Sequence, residues 1–154
     1  MDDAIKRRLA DHKLSLPPSQ PPRHEYVAIR RVADVVYVSG QTPKVDGEIA
    51  YSGRLGEAID LPTGQEAARI AALHCLSVLE DQFGLERVAQ LVKLNGYVAS
   101  GQAFVEQPQV INGASKLFVD ILGEAGRHAR TAVGVPWLPG NASVELELIA
   151  QVSG

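Results

Sequence analysis

The residues best suited to chemistry lie close to the C-terminal end. In Val144-Glu145-Leu146-Glu147-Leu148 two carboxylates alternate with apolar residues. A strand here puts both glutamates on one face, about 6.8 Å apart along the chain direction. Left in water, such a pair is a solvated strand face. Under cover, lost hydration and mutual repulsion raise a carboxyl pKa and make one glutamate a usable base. Arg130 opens the preceding apolar stretch. It is either a surface ion-pair partner or a planar fork that holds a carboxylate by two parallel hydrogen bonds.

Other chemistries find little support. The chain contains no GxGxxG, Walker A, HExxH or GxSxG motif, so nothing marks a phosphate cradle, a zinc helix or a nucleophile elbow. Ser39-Gly40 reads as strand-end backbone rather than a catalytic serine. Cys75, the single cysteine, falls mid-helix on the apolar side, a core position rather than a nucleophile. One cysteine also excludes an internal disulfide and a multi-cysteine metal site. His12, His24, His74 and His128 lack the i, i+4 spacing of helical zinc ligands. No metal site is expected.

The formal net charge is −3 and the sequence pI about 5.8. The densest basic cluster, Lys6-Arg7-Arg8, reads as the solvated face of a short helix. An acidic chain without a basic patch argues against nucleic-acid binding. There is no apolar run near the length of a membrane span and the N-terminus is charged, so neither a span nor a signal peptide is expected. A cytoplasmic location follows.

The elements that must position Arg130 and the glutamates can be read from periodicity. With 154 residues the chain matches one domain of roughly 150. Residues 2–14 form a short helix with Ile5, Leu9 and Leu14 on one side. Four prolines within Pro17–Pro22 then make an extended connector, and the folded body starts near Tyr26. Tyr26–Arg31 and Val35–Ser39 read as strands, and Asp46-Gly47 as a tight turn. Thr63-Gly64-Gln65-Glu66 has capping-box spacing, with Thr63 as N-cap. The helix behind it carries Ala68, Ala72, Cys75, Leu76, Leu79 and Phe83 at helical spacing, up to Gly84. Ala67, Ala68, Ala71 and Ala72 let it lie close to a sheet. Val92, Leu94, Gly96 and Val98 alternate with polar residues as another strand. Pro108 opens a second helix, whose inward residues are Val110, Ala114, Leu117, Ile121 and Leu122. Thr131–Val135 and Ser143–Val152 close the domain. The result is an α+β class domain, a mixed sheet packed against two helices in two layers. One sheet face stays open and calls for a partner, so self-association is expected.

Several of these segments together resemble a known family. Arg130-Thr131-Ala132-Val133-Gly134-Val135, then Leu138-Pro139, then Val144-Glu145-Leu146-Glu147-Leu148-Ile149-Ala150 resemble the C-terminal signature of the Rid (YjgF-like) reactive-intermediate deaminases. Tyr26 sits ahead of Val38-Ser39-Gly40-Gln41-Thr42-Pro43 at the family's spacing. Asn112 falls where the family places an Ile-Asn segment in its second helix. The similarity spans residues 26–152, preceded by the N-terminal helix and connector of residues 1–25. It implies a chorismate-mutase-like fold and a homotrimer with ligand clefts between subunits. It also implies cofactor-free hydrolysis of 2-imino acids to 2-keto acids and ammonia. Carried over by position, Arg130 would bind the substrate carboxylate and Glu145 would activate the attacking water. Tyr26, Ser39, Gly40, Asn112 and Thr131 would line the cleft. Ala132 stands where many deaminases of the family carry cysteine, which marks a divergent subgroup.

Two further readings compete with the imine hydrolase. One is a trimer that binds small carboxylates through the same arginine without turnover. The other is a ribonuclease, against which the acidic pI and the lack of a basic or aromatic surface weigh.

Overall fold

The computed structural model describes residues 1–22 and 24–154. In chain order the elements are α1 (Asp3–Asp11), β1 (Ile29–Val32), β2 (Val35–Gln41), β3 (Lys44–Val45), β4 (Glu48–Ile49), α2 (Leu61–Phe83), β5 (Val88–Ala99), α3 (Gln107–Leu122), β6 (Ala129–Val135) and β7 (Val144–Val152). Short 3-10 turns fill Leu85–Arg87, Gly123–Gly126 and Pro139–Asn141.

Five strands form one sheet in the order β1-β2-β7-β5-β6. β5 and β6 run parallel and the other neighbours antiparallel. A parallel pair needs a long crossover, and α3 supplies it. β3 and β4 form a separate hairpin around Asp46-Gly47, where both residues have positive φ. This is the mixed two-layer α+β arrangement that the periodicities imply.

Alternation along β7 decides the layers. Val144, Leu146, Leu148, Ala150 and Val152 are buried under the helices, while Glu145, Glu147, Ile149 and Gln151 face the other way. Ala67, Ala68, Ala71 and Ala72 of α2 are wholly inaccessible, as expected for a helix seated close to its neighbours. Cys75 is sealed in the same core, and burial pushes its thiol up to about 12. Such a thiol is protonated at any ordinary pH and is no nucleophile.

Five local details differ from the sequence reading. The N-terminal helix is shorter than residues 2–14, and Asp2 caps it by accepting from the Ile5 amide at 2.9 Å. Its Ile5 and Leu9 join the main core. Arg8 is more than part of a solvated face: Nη1 donates to the Ile121 carbonyl at 3.1 Å, on the last turn of α3. The expected cap at Thr63 is displaced to Asp60, whose carboxylate accepts from the Thr63 amide at 3.0 Å. Pro62 is suited to the first helical turn, so the helix starts earlier. Finally, Tyr26 precedes β1, and Val92 points outward rather than into the core. The β5–β7 register shifts between Leu91 and Lys93, and this bulge lets Leu91 take the buried position that strict alternation assigns to Val92.

The other sheet face has no helix over it. Tyr37, Val133 and Val32 are exposed there, at 48%, 42% and 62%, beside Tyr97, Ile149 and the two glutamates.

Candidate functional site

Glu145 and Glu147 occupy the uncovered face, where Tyr97 and Asn95 of β5 are their register partners. The Tyr97 hydroxyl and the Asn95 amide both donate to Glu147 Oε1, at 2.7 and 3.0 Å. The bond to Glu147, with burial and the two carboxylate charges, pushes the Tyr97 pKa up, since it favours the protonated phenol. Glu147 is thereby engaged, whereas Glu145 has no hydrogen-bond partner among the described residues. Burial, and then the neighbouring charge of Glu147, raise the Glu145 pKa. That is the environment of a usable base.

Gly40 explains how Glu145 fits. The β2–β7 register slips between Val38 and Gln41, so Ser39 and Gly40 bulge together. Glu145 lies directly against the Gly40 backbone, in the space a Cβ would fill. The Ser39 hydroxyl donates to the Val27 carbonyl at 2.7 Å and its amide to Ala28 at 2.9 Å. These bonds fix the segment that carries Tyr26. Tyr26, Ser39 and Gly40 line a cleft of about 260 Å³, with Pro22, Lys44 and His74 on its other walls. His74 is buried, and its Nε2 bonds the Lys44 carbonyl at 2.8 Å. The proline connector therefore forms part of this wall.

Arg130 stands elsewhere. It pairs in register with Leu94, a core residue, and so points to the helix side of edge strand β6. Its Nη1 donates to Asn112 Oδ1 at 2.8 Å and to Ser115 Oγ at 3.2 Å, both on α3. No carboxylate partners it among the described residues. Ser115 Oγ also meets His128 Nε2 at 3.0 Å, and His128 Nδ1 meets the Gly126 carbonyl at 2.7 Å. A carbonyl only accepts, so Nδ1 carries the proton and Nε2 receives the Ser115 hydroxyl hydrogen. The oxygen of Ser115 is then left to accept from Arg130. Burial, opposed by the Gly126 bond but aided by the Arg130 charge, holds the His128 pKa below its usual value.

Six of the seven residues read from sequence form two groups. Arg130 and Asn112 are in contact on the helix side; Tyr26, Ser39, Gly40 and Glu145 cluster around β2. Thr131 falls outside the arginine group: it faces the uncovered side and accepts from Lys93 Nζ at 2.7 Å. Within one chain Arg130 and Glu145 lie on opposite faces of the sheet, with β5 between their strands, so no single-chain cleft holds both. Ser115 and His128 were not singled out by sequence. The signal available was Ser115 at i+3 from Asn112, one helix face.

A two-layer α+β chain with a mixed sheet, helices on one face and the other face bare, has the chorismate-mutase-like fold. The chain belongs to the YjgF/Rid family. The model of the family described as "YjgF/chorismate_mutase-like, putative endoribonuclease" matches residues 6–152. Protein TCP17 of Trypanosoma cruzi is 41% identical over 142 residues, covering 91% of this chain and 89% of the relative. The solved structure of Atu1372 from Agrobacterium tumefaciens, of unknown function, is 41% identical with a TM-score of 0.92. It spans 98% of this chain and 95% of its own, so the N-terminal helix and connector fall within the shared fold. Escherichia coli TdcF, solved with bound serine, shares the fold at a TM-score of 0.63 and 24% identity, over 88% of this chain and 94% of its own. Other neighbours of this fold carry the name endoribonuclease. No helix among the described residues is long and apolar enough to cross a membrane.

Proposed function

We propose that this protein hydrolyses 2-imino acids to 2-keto acids and ammonia in clefts between copies of itself, assembled as a homotrimer. One copy supplies Arg130 and Asn112; its neighbour supplies Glu145 with Gly40, Ser39 and Tyr26. Arg130 grips the substrate carboxylate. Glu145 takes a proton from water as the oxygen bonds to the iminium carbon, giving a tetrahedral carbinolamine. Glu145 passes the proton to nitrogen, then takes the hydroxyl proton as the C–N bond breaks, and ammonia leaves as the carbonyl forms. The carbon is already electrophilic, so holding the anion and aiming the water carry most of the task.

The observation behind this reading is the separation of two unsatisfied groups. Among the described residues Arg130 is held by neutral acceptors alone and Glu145 has no donor. Each lacks its complement among those residues, and the bare sheet face offers a surface for a second copy. The test is to generate 2-iminopropionate with an amino-acid oxidase, trap the residue with semicarbazide, and compare the wild type with Arg130→Ala. Acceleration lost in the variant supports the reading; no acceleration by the wild type on several imino acids overturns it. The alternative is a trimer that binds small carboxylates without turnover. It draws on the serine bound in the TdcF structure and predicts saturable thermal stabilisation by 2-keto acids instead.

A further inference from the structure

We propose that the recess beside Arg130 is a pocket for a second acidic group, so that the ligand is a short dicarboxylic 2-imino or 2-keto acid. This rests on Arg130 holding the first carboxylate, as proposed above, and narrows the substrate class.

The recess measures about 250 Å³ and is lined by Ser115, Val119, Arg127, His128 and Arg130. Two guanidiniums, an imidazole and a hydroxyl face it, and among the described residues the one carboxylate beside it, Glu124, holds Arg127 Nε from outside the lining. The chain as a whole has 18 acidic against 15 basic residues, so this local balance runs opposite to the global one. A site of this size suits a small metabolite rather than a large ligand.

Donor accounting sharpens the case. Arg130 uses Nη1 on Asn112 and Ser115, leaving its Nε and Nη2 hydrogens without a partner among the described residues. Arg127 commits Nε to Glu124 at 2.9 Å, and its terminal nitrogens have no acceptor among those residues. A monocarboxylic ligand with an apolar side chain would satisfy Arg130 and leave Arg127 facing a methyl group. A second carboxylate satisfies both.

The recess is also rigid where it must be. His128 is fixed by Gly126 on one side and Ser115 on the other, and its ring meets Phe118 edge-on at 5.7 Å and 90°. With Nε2 receiving the Ser115 hydrogen, the serine oxygen is aimed at Arg130. The backbone turn at Gly123–Gly126 places Arg127 next to that fixed ring. Ser115, His128 and Arg130 are thus pre-set around one anion, and the solvent-facing Arg127 beside them adds the charge that favours a second.

The test uses the protein as purified and measures affinity by calorimetry for 2-oxoglutarate and 2-oxobutyrate. The dicarboxylate should bind at least about tenfold more tightly. Arg127→Ala should bring the ratio close to one, whereas Arg69→Ala, a surface arginine on α2 away from the recess, should leave it unchanged. Equal affinities in the wild type, or a preference that survives Arg127→Ala, overturn the pocket while leaving Arg130 as carboxylate holder. If neither acid binds and no imine is hydrolysed, the carboxylate role of Arg130 falls, and this inference with it.

Discussion

The carboxylate of Glu145 fills the space that a side chain on Gly40 would need. Gly40 is at the exposed lip of β2 and has no positive φ, so its glycine is required by this contact and not by backbone geometry. Gly40→Ala should therefore fold normally yet push Glu145 off its position. A displacement on the order of 1 Å costs about 10²-fold in turnover. Imine hydrolysis alongside a melting curve checks this; full activity with an unchanged melting point would show that the aim of Glu145 does not matter.

Glu145 also gives a pH signature. Its folded pKa stands above the ordinary 4.5 because of burial and then of Glu147. Between 4.5 and the raised value the native state holds more protons than the unfolded chain, so stability falls as pH rises through that window. Glu145→Gln removes this decline, and urea titrations of both proteins across the window should diverge upward in pH, with the variant the more stable. Catalysis runs the other way. A base must be ionised, so kcat/KM should rise with pH through the same raised pKa.

How much of this could be read from the chain follows from what each signal encodes. Helical spacing in α2 and α3 and alternation in β7 are local, and they carried the two-layer architecture. Residue type marked Arg130 and the two glutamates, and the choice of Glu145 over Glu147 came from the family resemblance. Their placement on opposite faces was not legible, because it depends on which β5 residue each opposes: Leu94 for Arg130, Tyr97 for Glu145. Val92 shows the same limit, since a bulge reverses the parity that alternation assumes. Ser115 and His128 meet only because the 3-10 turn at Gly123–Gly126 folds the chain back on α3. Nothing in their spacing announces that.

The start of α2 separates two readings of one segment. A capping box at Thr63 makes the threonine hydroxyl the stabilising acceptor; the structure gives that role to Asp60. Bonds from the Thr63 hydroxyl and then from its amide hold the Asp60 carboxyl below its ordinary 3.8, so their contribution is present above that pH and fades as pH falls below it. Asp60→Ala should lower the melting temperature by a few degrees at neutral pH. Thr63→Ala should lower it less, since it removes only the hydroxyl bond and leaves the amide bond to Asp60 in place. A larger effect at Thr63 would return the cap to the threonine.

Gly113 sets how closely α2 and α3 approach, and two opposing effects decide the outcome of replacing it. It lies inside α3, where alanine is the better helix former by about 1 kcal/mol. Yet a Cβ there would run into the Gln65 carbonyl oxygen and its backbone neighbours on α2. A backbone obstacle cannot rotate away, and overpacking of this kind costs about 1–3 kcal/mol. The steric term wins, so Gly113→Ala should lower the midpoint of urea unfolding, and Gly113→Val should lower it further. The helices also seat Asn112 and Ser115 beneath Arg130. Forcing them apart should therefore weaken carboxylate binding together with stability. A more stable Gly113→Ala protein with unaltered binding would mean that α3 shifts at no cost and that the close approach is not what holds the arginine in place.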